Sequence, residues 1–152
     1  MDGLRKTWQR AEVRLVRERA EEPYGPTMAD PSAIAAFLRP IIGSLAQEAF
    51  VVLALNMRHR LIAMTTAGLG GIAACPVEPA AVLRFALLAG AASVAVAHNH
   101  PSSCCDPSAD DVVLTRHLSA ACTCVGVPLL DHVIVTADAS FSFAAHGLLP
   151  LA

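Results

Sequence analysis

The stretch VAVAHNHPSSCCDPSADDVVLT, Val94 to Thr115, is the part of the chain around which the rest can be ordered. It opens as a continuous apolar run and ends that run in two histidines, His98 and His100, one residue apart. A loop bracketed by Pro101 and Pro107 follows, and Ser108 then opens a helical segment that Gly126 closes. A run apolar at every position suits a strand buried on both faces in the middle of a sheet. Strand, short loop and helix in that order point to an α/β domain. Residues i and i+2 of a strand share a face, so His98 and His100 point the same way. They do so at the C-terminal end of the strand, where open α/β sheets present their sites.

Working outward, Gln47 to Asn56 (QEAFVVLALN) reads as a strand and HRLIAMTTAG as its hairpin partner, with NMRH at the turn. PAAVLRFALLAGA, from Pro79, reads as a helix with proline at its start and Gly90 near its end. PLLDHVIVT and ASFSFAAHG read as two further strands. Upstream, SAIAAFLRPII is a helix with Ser32 as its cap, disturbed by Pro40 and stopped by Gly43. EEPYGPTMADP reads as a linker, and the first twenty-two residues read as a charged helix with a thin apolar stripe. The expected division is a charged helix and linker over residues 1–28 and one α/β domain over residues 29–152.

The chain has 152 residues, 55% of them hydrophobic and 16% charged, and a mean hydropathy of +0.52. That balance raises the question of a membrane. The run from Phe85 to Ala97 contains Gly90 and falls short of the roughly 20 apolar residues a spanning helix needs. The start is charged throughout and lacks the apolar core of a signal peptide, so the expected location is cytoplasmic, without a membrane. Five cysteines in that setting argue against a disulfide framework. Formal net charge is −2, and six of the eleven Lys+Arg fall in the first nineteen residues. The remaining body is net acidic, a poor footing for binding the phosphates of nucleic acid. Its apolar load leaves room for a homo-oligomer.

The chemistry gathers at the histidines. The Pro-bracketed loop lets the chain turn back, so that Asp111, in the first turn of the next helix, faces the imidazoles. Two imidazoles and one carboxylate make a three-ligand set that suits catalytic zinc, with a fourth position for water. Such an ion lowers the pKa of that water to about 7. A hydrolase of this kind also needs a carboxylate that is not a ligand, to take the proton. Glu48, the one acidic residue in or beside the two hairpin strands, is the candidate. Ser108 offers its hydroxyl or the helix-end N–H groups to a developing oxyanion. Thr115, one turn beyond Asp111, and the pair Asp131 and His132 are candidates for orienting the ligands.

Each feature also has a plainer reading. Ser108-x-x-Asp111 is close to a capping box and would then only start a helix. A histidine at a strand end can be a hydrogen-bonded core residue, and Asp131-His132 can be structural. A shift of the helix by one residue would put Asp110 in place of Asp111. His59, His117 and His146 read as surface or edge residues, and Cys122-x-Cys124 points its thiols in different directions. What stands out is the conjunction of H-x-H-P and S-x-x-D at this spacing with a glutamate upstream.

At these residues the chain resembles the JAMM (MPN+) metalloprotease superfamily, whose pattern is an upstream Glu, H-x-H-P, six residues and S-x-x-D. Here that is Glu48, His98-Asn99-His100-Pro101, Ser102 to Pro107, and Ser108-Ala109-Asp110-Asp111. AHNHPS and LLDHVIV are similar, more narrowly, to the RadC branch, EAFVVLALNMRHRLI to that branch's first hairpin, and HGLL to its ending. The likeness runs from about Ala29 to Leu149. It implies Zn2+ held by His98, His100 and Asp111, with Glu48 as general base and Ser108 assisting the oxyanion. It implies hydrolysis of a peptide or isopeptide bond in a protein or peptide substrate. The implied fold is α/β, a curved mixed β-sheet flanked by helices and related to cytidine-deaminase-like folds.

Two departures bear on function. RadC-branch proteins usually carry a helix-hairpin-helix module ahead of this domain, and the first thirty residues are too short and too poor in glycine to be one. The loop that reads Gly-Asp-Pro-Thr-Pro in the branch is here Ser103-Cys104-Cys105-Asp106-Pro107. Its thiols either pack as small apolar groups or supply a thiolate to the ion's open position. The competing classes are a DNA-associated RadC-family protein without hydrolase activity and a degenerate domain used for binding. The acidic body argues against the first and the complete ligand set against the second. The letters HNH lack the separated residues of an HNH nuclease. The H-x-E and P-C-x-x-C of a zinc deaminase are missing as well.

Overall fold

The computed structural model describes residues 24–70 and 77–150. The charged helix expected over the first twenty-two residues lies outside these. Eight elements follow in the order α1 (Pro31–Ile42), β1 (Ala49–Leu55), β2 (Leu61–Leu69), α2 (Pro79–Leu88), β3 (Ser93–Asn99), α3 (Ala109–Cys124), β4 (Leu129–Val135) and β5 (Ser140–Ser142). The five strands make one mixed sheet in the order β2-β1-β3-β4-β5. β1 is antiparallel to both β2 and β3, β3 is parallel to β4, and β5 returns antiparallel on β4. The fold is α/β, an open mixed sheet with helices on both faces.

Strand composition sets strand position. β1 and β3, apolar along almost their whole length, are buried at every residue and lie inside the sheet. β2 carries Thr65 and Thr66 and alternates between half-buried and exposed positions at the edge. Side-chain parity then assigns the faces. Ala49, Val51, Leu53 and Leu55 of β1, with Ala95 and Ala97 of β3, pack against Ile34, Ala35, Leu38 and Ile42 of α1. Phe50, Val52, Val94 and Val96 pack on the other side against Val82 and Ala86 of α2 and Leu118 and Cys122 of α3. Each large aliphatic side chain buried this way is worth about 1.5–3 kcal/mol. His98 continues the parity of Val94 and Val96, so it faces α3.

Two local expectations are corrected. The N-cap of α1 is Asp30, whose carboxylate accepts from the Ala33 N–H at 2.9 Å and the Ser32 hydroxyl at 2.6 Å. Pro31 has no N–H to satisfy and fits the first helical position, which moves the cap two residues ahead of Ser32. The strand expected over ASFSFAAHG lasts only three residues. Beyond it the Ser142 hydroxyl accepts from Ala145 N–H at 3.0 Å and the Asp131 carboxylate from Ala144 N–H at 2.9 Å. These side-chain acceptors replace ladder partners, and the chain turns until Gly147, at a φ of 69°. Asn56 Oδ1 organises the NMRH turn by accepting from the Arg58 and Arg60 N–H groups at 2.8 and 3.0 Å. None of the described helices is long and apolar enough to cross a membrane.

Candidate metal centre

Three elements and one loop build the site. β3 delivers His98, fully buried, and His100 just past its end, half-buried. The loop after Pro101 turns back, with Ser103 in the left-handed region at a φ of 62°, and α3 begins at Ser108. There the capping box is real. Ser108 Oγ accepts from Asp111 N–H at 3.1 Å, and Asp111 Oδ2 accepts from Ser108 N–H at 2.8 Å. The Ser108 hydroxyl donates to the same Oδ2 at 2.6 Å. The plain reading and the functional one therefore hold together, because the cap turns the Asp111 carboxylate toward the histidines. Asp111 Oδ1 lies 3.2 Å from His98 Nε2, and Oδ2 lies 3.5 Å from His100 Nε2. Asp110, next to it, is exposed.

The two Nε2 atoms are 2.9 Å apart. On its other side the His100 ring donates from Nδ1 to the Cys104 carbonyl at 2.7 Å. A carbonyl only accepts, so the ring's proton sits on Nδ1 and Nε2 carries a lone pair. His98 Nδ1 meets His132 Nε2 at 2.8 Å, and His132 Nδ1 meets Thr115 Oγ1 at 2.6 Å. Ligand atoms of His98, His100 and Asp111 lie within 4.8 Å of one another, a group that can hold a metal ion. The two Nε2 atoms and the Asp111 carboxylate converge on one point, and this donor set of two nitrogens and one oxygen fits a divalent ion. Cys104 and Cys105 are not in that group. The Cys104 thiol lies 3.4 Å from the Asp106 carboxylate, and the residue serves the site through its backbone carbonyl.

Electrostatics agree with this arrangement. Burial pushes the Asp111 carboxyl up, but with protons in the ion's place the facing His100 and His98 rings outweigh it and hold the group well below the usual carboxylate range. The hydrogen bond to Asp111 raises His100 above its ordinary value, with the Asp111 and Glu48 charges adding to it. Burial drives His132 well below the ordinary histidine value. Its ring stacks on Phe143 at 4.7 Å and meets Phe50 edge-on at 5.5 Å.

Glu48 comes from β1's entry. Phe50 pairs with His98 across the β1–β3 ladder, so the antiparallel register brings Glu48 level with His100. Glu48, Phe50, His100, Ser108, Asp111 and Leu114 line one groove of about 440 Å³. Thr115 and His132 come to the site and Asp131 does not. Asp131 lies on the other parity of β4, where its carboxylate binds the Ser142 hydroxyl at 2.6 Å and the N–H groups of His132 and Ala144.

Residues 28–148 match the family model described as the RadC-like JAB domain. The chain belongs to this family. It is 44% identical over 139 residues to a UPF0758 protein of Cupriavidus pinatubonensis, covering 91% of this chain and 60% of that one. It is 42% identical over 134 residues to a UPF0758 protein of Burkholderia thailandensis, covering 88% and 50%. A third, from Aromatoleum aromaticum, is 42% identical over 146 residues, covering 91% and 65%. The chain thus spans about half to two thirds of the length of these relatives.

In this RadC-like JAB domain one residue that pattern reading passed over ties the Glu48 segment to β3. Asn99, the residue between the two histidines, points to the opposite face and is fully buried. Its side chain accepts from Ala49 N–H at 2.7 Å and donates to the carbonyls of Gln47 and Leu45 at 3.1 and 3.2 Å. A polar residue inside an otherwise apolar strand was the available signal, since a buried amide demands partners.

Proposed function

We propose that this domain is a zinc-dependent metallohydrolase that cleaves a peptide or isopeptide bond in a protein or peptide substrate. The observation that carries the reading is that His98, His100 and Asp111, from separate parts of the chain, form one ligand group, and that Glu48 lines the groove on which His100 and Asp111 open. His98 Nε2, His100 Nε2 and Asp111 Oδ1 would hold the ion. When bound, zinc supplies Lewis-acid polarisation of the scissile carbonyl and brings the pKa of a water down to about 7.

The chain's own residues do the rest. The Glu48 carboxylate takes a proton from the attacking water and returns it to the leaving nitrogen, general acid–base work worth roughly 10²–10⁴-fold. In the metal-free chain the facing histidines keep Asp111 ionised, so its carboxylate is ready to take an ion. Phe50 and Leu114 give the groove apolar walls that reduce competition from bulk water. Ser108 sits at the groove, but its hydroxyl proton is directed at Asp111. Assistance to an oxyanion asks that hydroxyl to rotate.

The test is metal analysis of the purified chain, then cleavage profiling on a peptide library. One zinc per chain, lost in His98→Ala, and cleavage abolished in Glu48→Gln with zinc retained, are the expected results. Full cleavage by Glu48→Gln would remove the base assignment. A chain that takes up no zinc at neutral pH would remove the hydrolase reading.

A further inference from the structure

Three hydrogen bonds behind His98 form a chain whose direction is fixed at one end. Thr115 Oγ1 lies 2.6 Å from the backbone carbonyl of Asp111, four residues earlier in α3. A carbonyl cannot donate, so the threonine hydroxyl must. With its proton spent there, Thr115 Oγ1 is an acceptor toward His132 Nδ1 at 2.6 Å, and that nitrogen carries the proton. His132 is wholly buried between Phe50 and Phe143, and neither ring nitrogen hydrogen-bonds a carboxylate. A buried ring without a counter-charge keeps a single proton, so its Nε2 is bare and accepts from His98 Nδ1 at 2.8 Å.

We infer that Thr115, acting through His132, is a positioning residue that keeps the proton of His98 on Nδ1 and leaves Nε2 free for the ion. The proton's place on one ligand is thereby set by the backbone of another, Asp111. A neutral imidazole does what a carboxylate or carbonyl commonly does behind a metal-bound histidine. Removing the hydroxyl frees the pair to reverse. His132 can then donate from Nε2 to His98 Nδ1, which moves the His98 proton onto Nε2, where a metal must displace it.

The inference rests on the metal-site reading above, and its test separates the two. In metal-free protein carrying ¹⁵N-histidine, ring ¹H–¹⁵N correlation spectra at pH 8 report which nitrogen of each histidine is protonated. Signals are assigned by difference against His98→Gln and His132→Gln. The parent should show His98 and His132 both protonated on Nδ1. Thr115→Val, close in shape to threonine, should shift His98 toward the Nε2-protonated form and weaken zinc about 10–100-fold in competition with a chromophoric chelator. Thr115→Ser should restore both. Parent His98 protonated on Nε2, or unchanged zinc affinity in a folded Thr115→Val, would overturn the inference. The first measurement needs no variant to fold beyond the assignment. A parent with the stated tautomers but no zinc binding would support the inference while ending the hydrolase reading.

Discussion

Asn99 grips the backbone on both sides of Glu48. One amide, buried on the face away from the histidines, takes the Ala49 N–H and gives its own two hydrogens to Gln47 and Leu45. The residue between the two histidines thus ties the segment carrying the candidate base to the strand carrying the candidate ligands. Asn99→Asp keeps the acceptor for Ala49 but sets an oxygen against two carbonyls. Leaving buried groups unpaired costs about 1–3 kcal/mol each. We expect chemical denaturation to show a loss of about 3 kcal/mol, with cleavage falling more than zinc affinity. Unchanged stability in the aspartate variant would refute the clamp.

The Ser108 cap makes a second prediction. Its hydroxyl both starts α3 and orients the Asp111 carboxylate. Ser108→Ala should cost about 1 kcal/mol of stability, the usual worth of an N-cap side chain. It should also weaken zinc about tenfold, because the ligand loses an orienting partner. Ser108→Thr should recover most of both. If stability falls while a zinc titration is unmoved, the cap and the site are independent and the coupling is wrong.

Zinc and protons should compete for His100. Its folded-state pKa is raised above the ordinary 6.5, first by its hydrogen bond to Asp111. A raised histidine stabilises the metal-free chain below the ordinary value, and that contribution is lost as pH rises through the raised one. The ion must displace this proton. Zinc's increment to the melting temperature should therefore grow from pH 6 upward and level off once the pH passes the raised value. Melting curves with and without zinc across that range measure it. An increment independent of pH would count against His100 as a ligand.

Much of this site could be read from residues alone because it obeys short-range rules. Period-two alternation put His98 and His100 on one face. Ser108 and Asp111 sit at the spacing of a capping box, which also turns the carboxylate inward. Other features depend on register between distant strands. That Glu48 stands level with His100 follows from the pairing of Phe50 with His98, which no local pattern encodes. Asp131 and His132 are adjacent in sequence, yet strand parity sends one to each side of β4. The early end of β5 reflects competition from the Ser142 and Asp131 side chains, a tertiary effect that β-propensity at Phe141 and Phe143 conceals.

Asp131 offers the sharpest contrast with its neighbour. Burial raises its carboxyl above the ordinary range, outweighing hydrogen bonds from Ser142, Ala144 and His132. A carboxyl whose folded pKa is raised binds its proton more tightly in the folded chain. The parent should therefore lose stability as pH climbs from the ordinary value through the raised one. Asp131→Asn keeps an oxygen for the two N–H groups, turns its amide to the Ser142 hydroxyl, and carries no charge. It should match or exceed the parent's stability at pH 7, with an advantage that shrinks toward pH 4. Asp131→Ala strands two buried N–H donors and should lose about 3 kcal/mol. Neither change should move zinc affinity, since the carboxylate lies across the strand from His132. Weaker zinc binding in a folded Asp131→Asn would place Asp131 among the residues that orient the ligands after all.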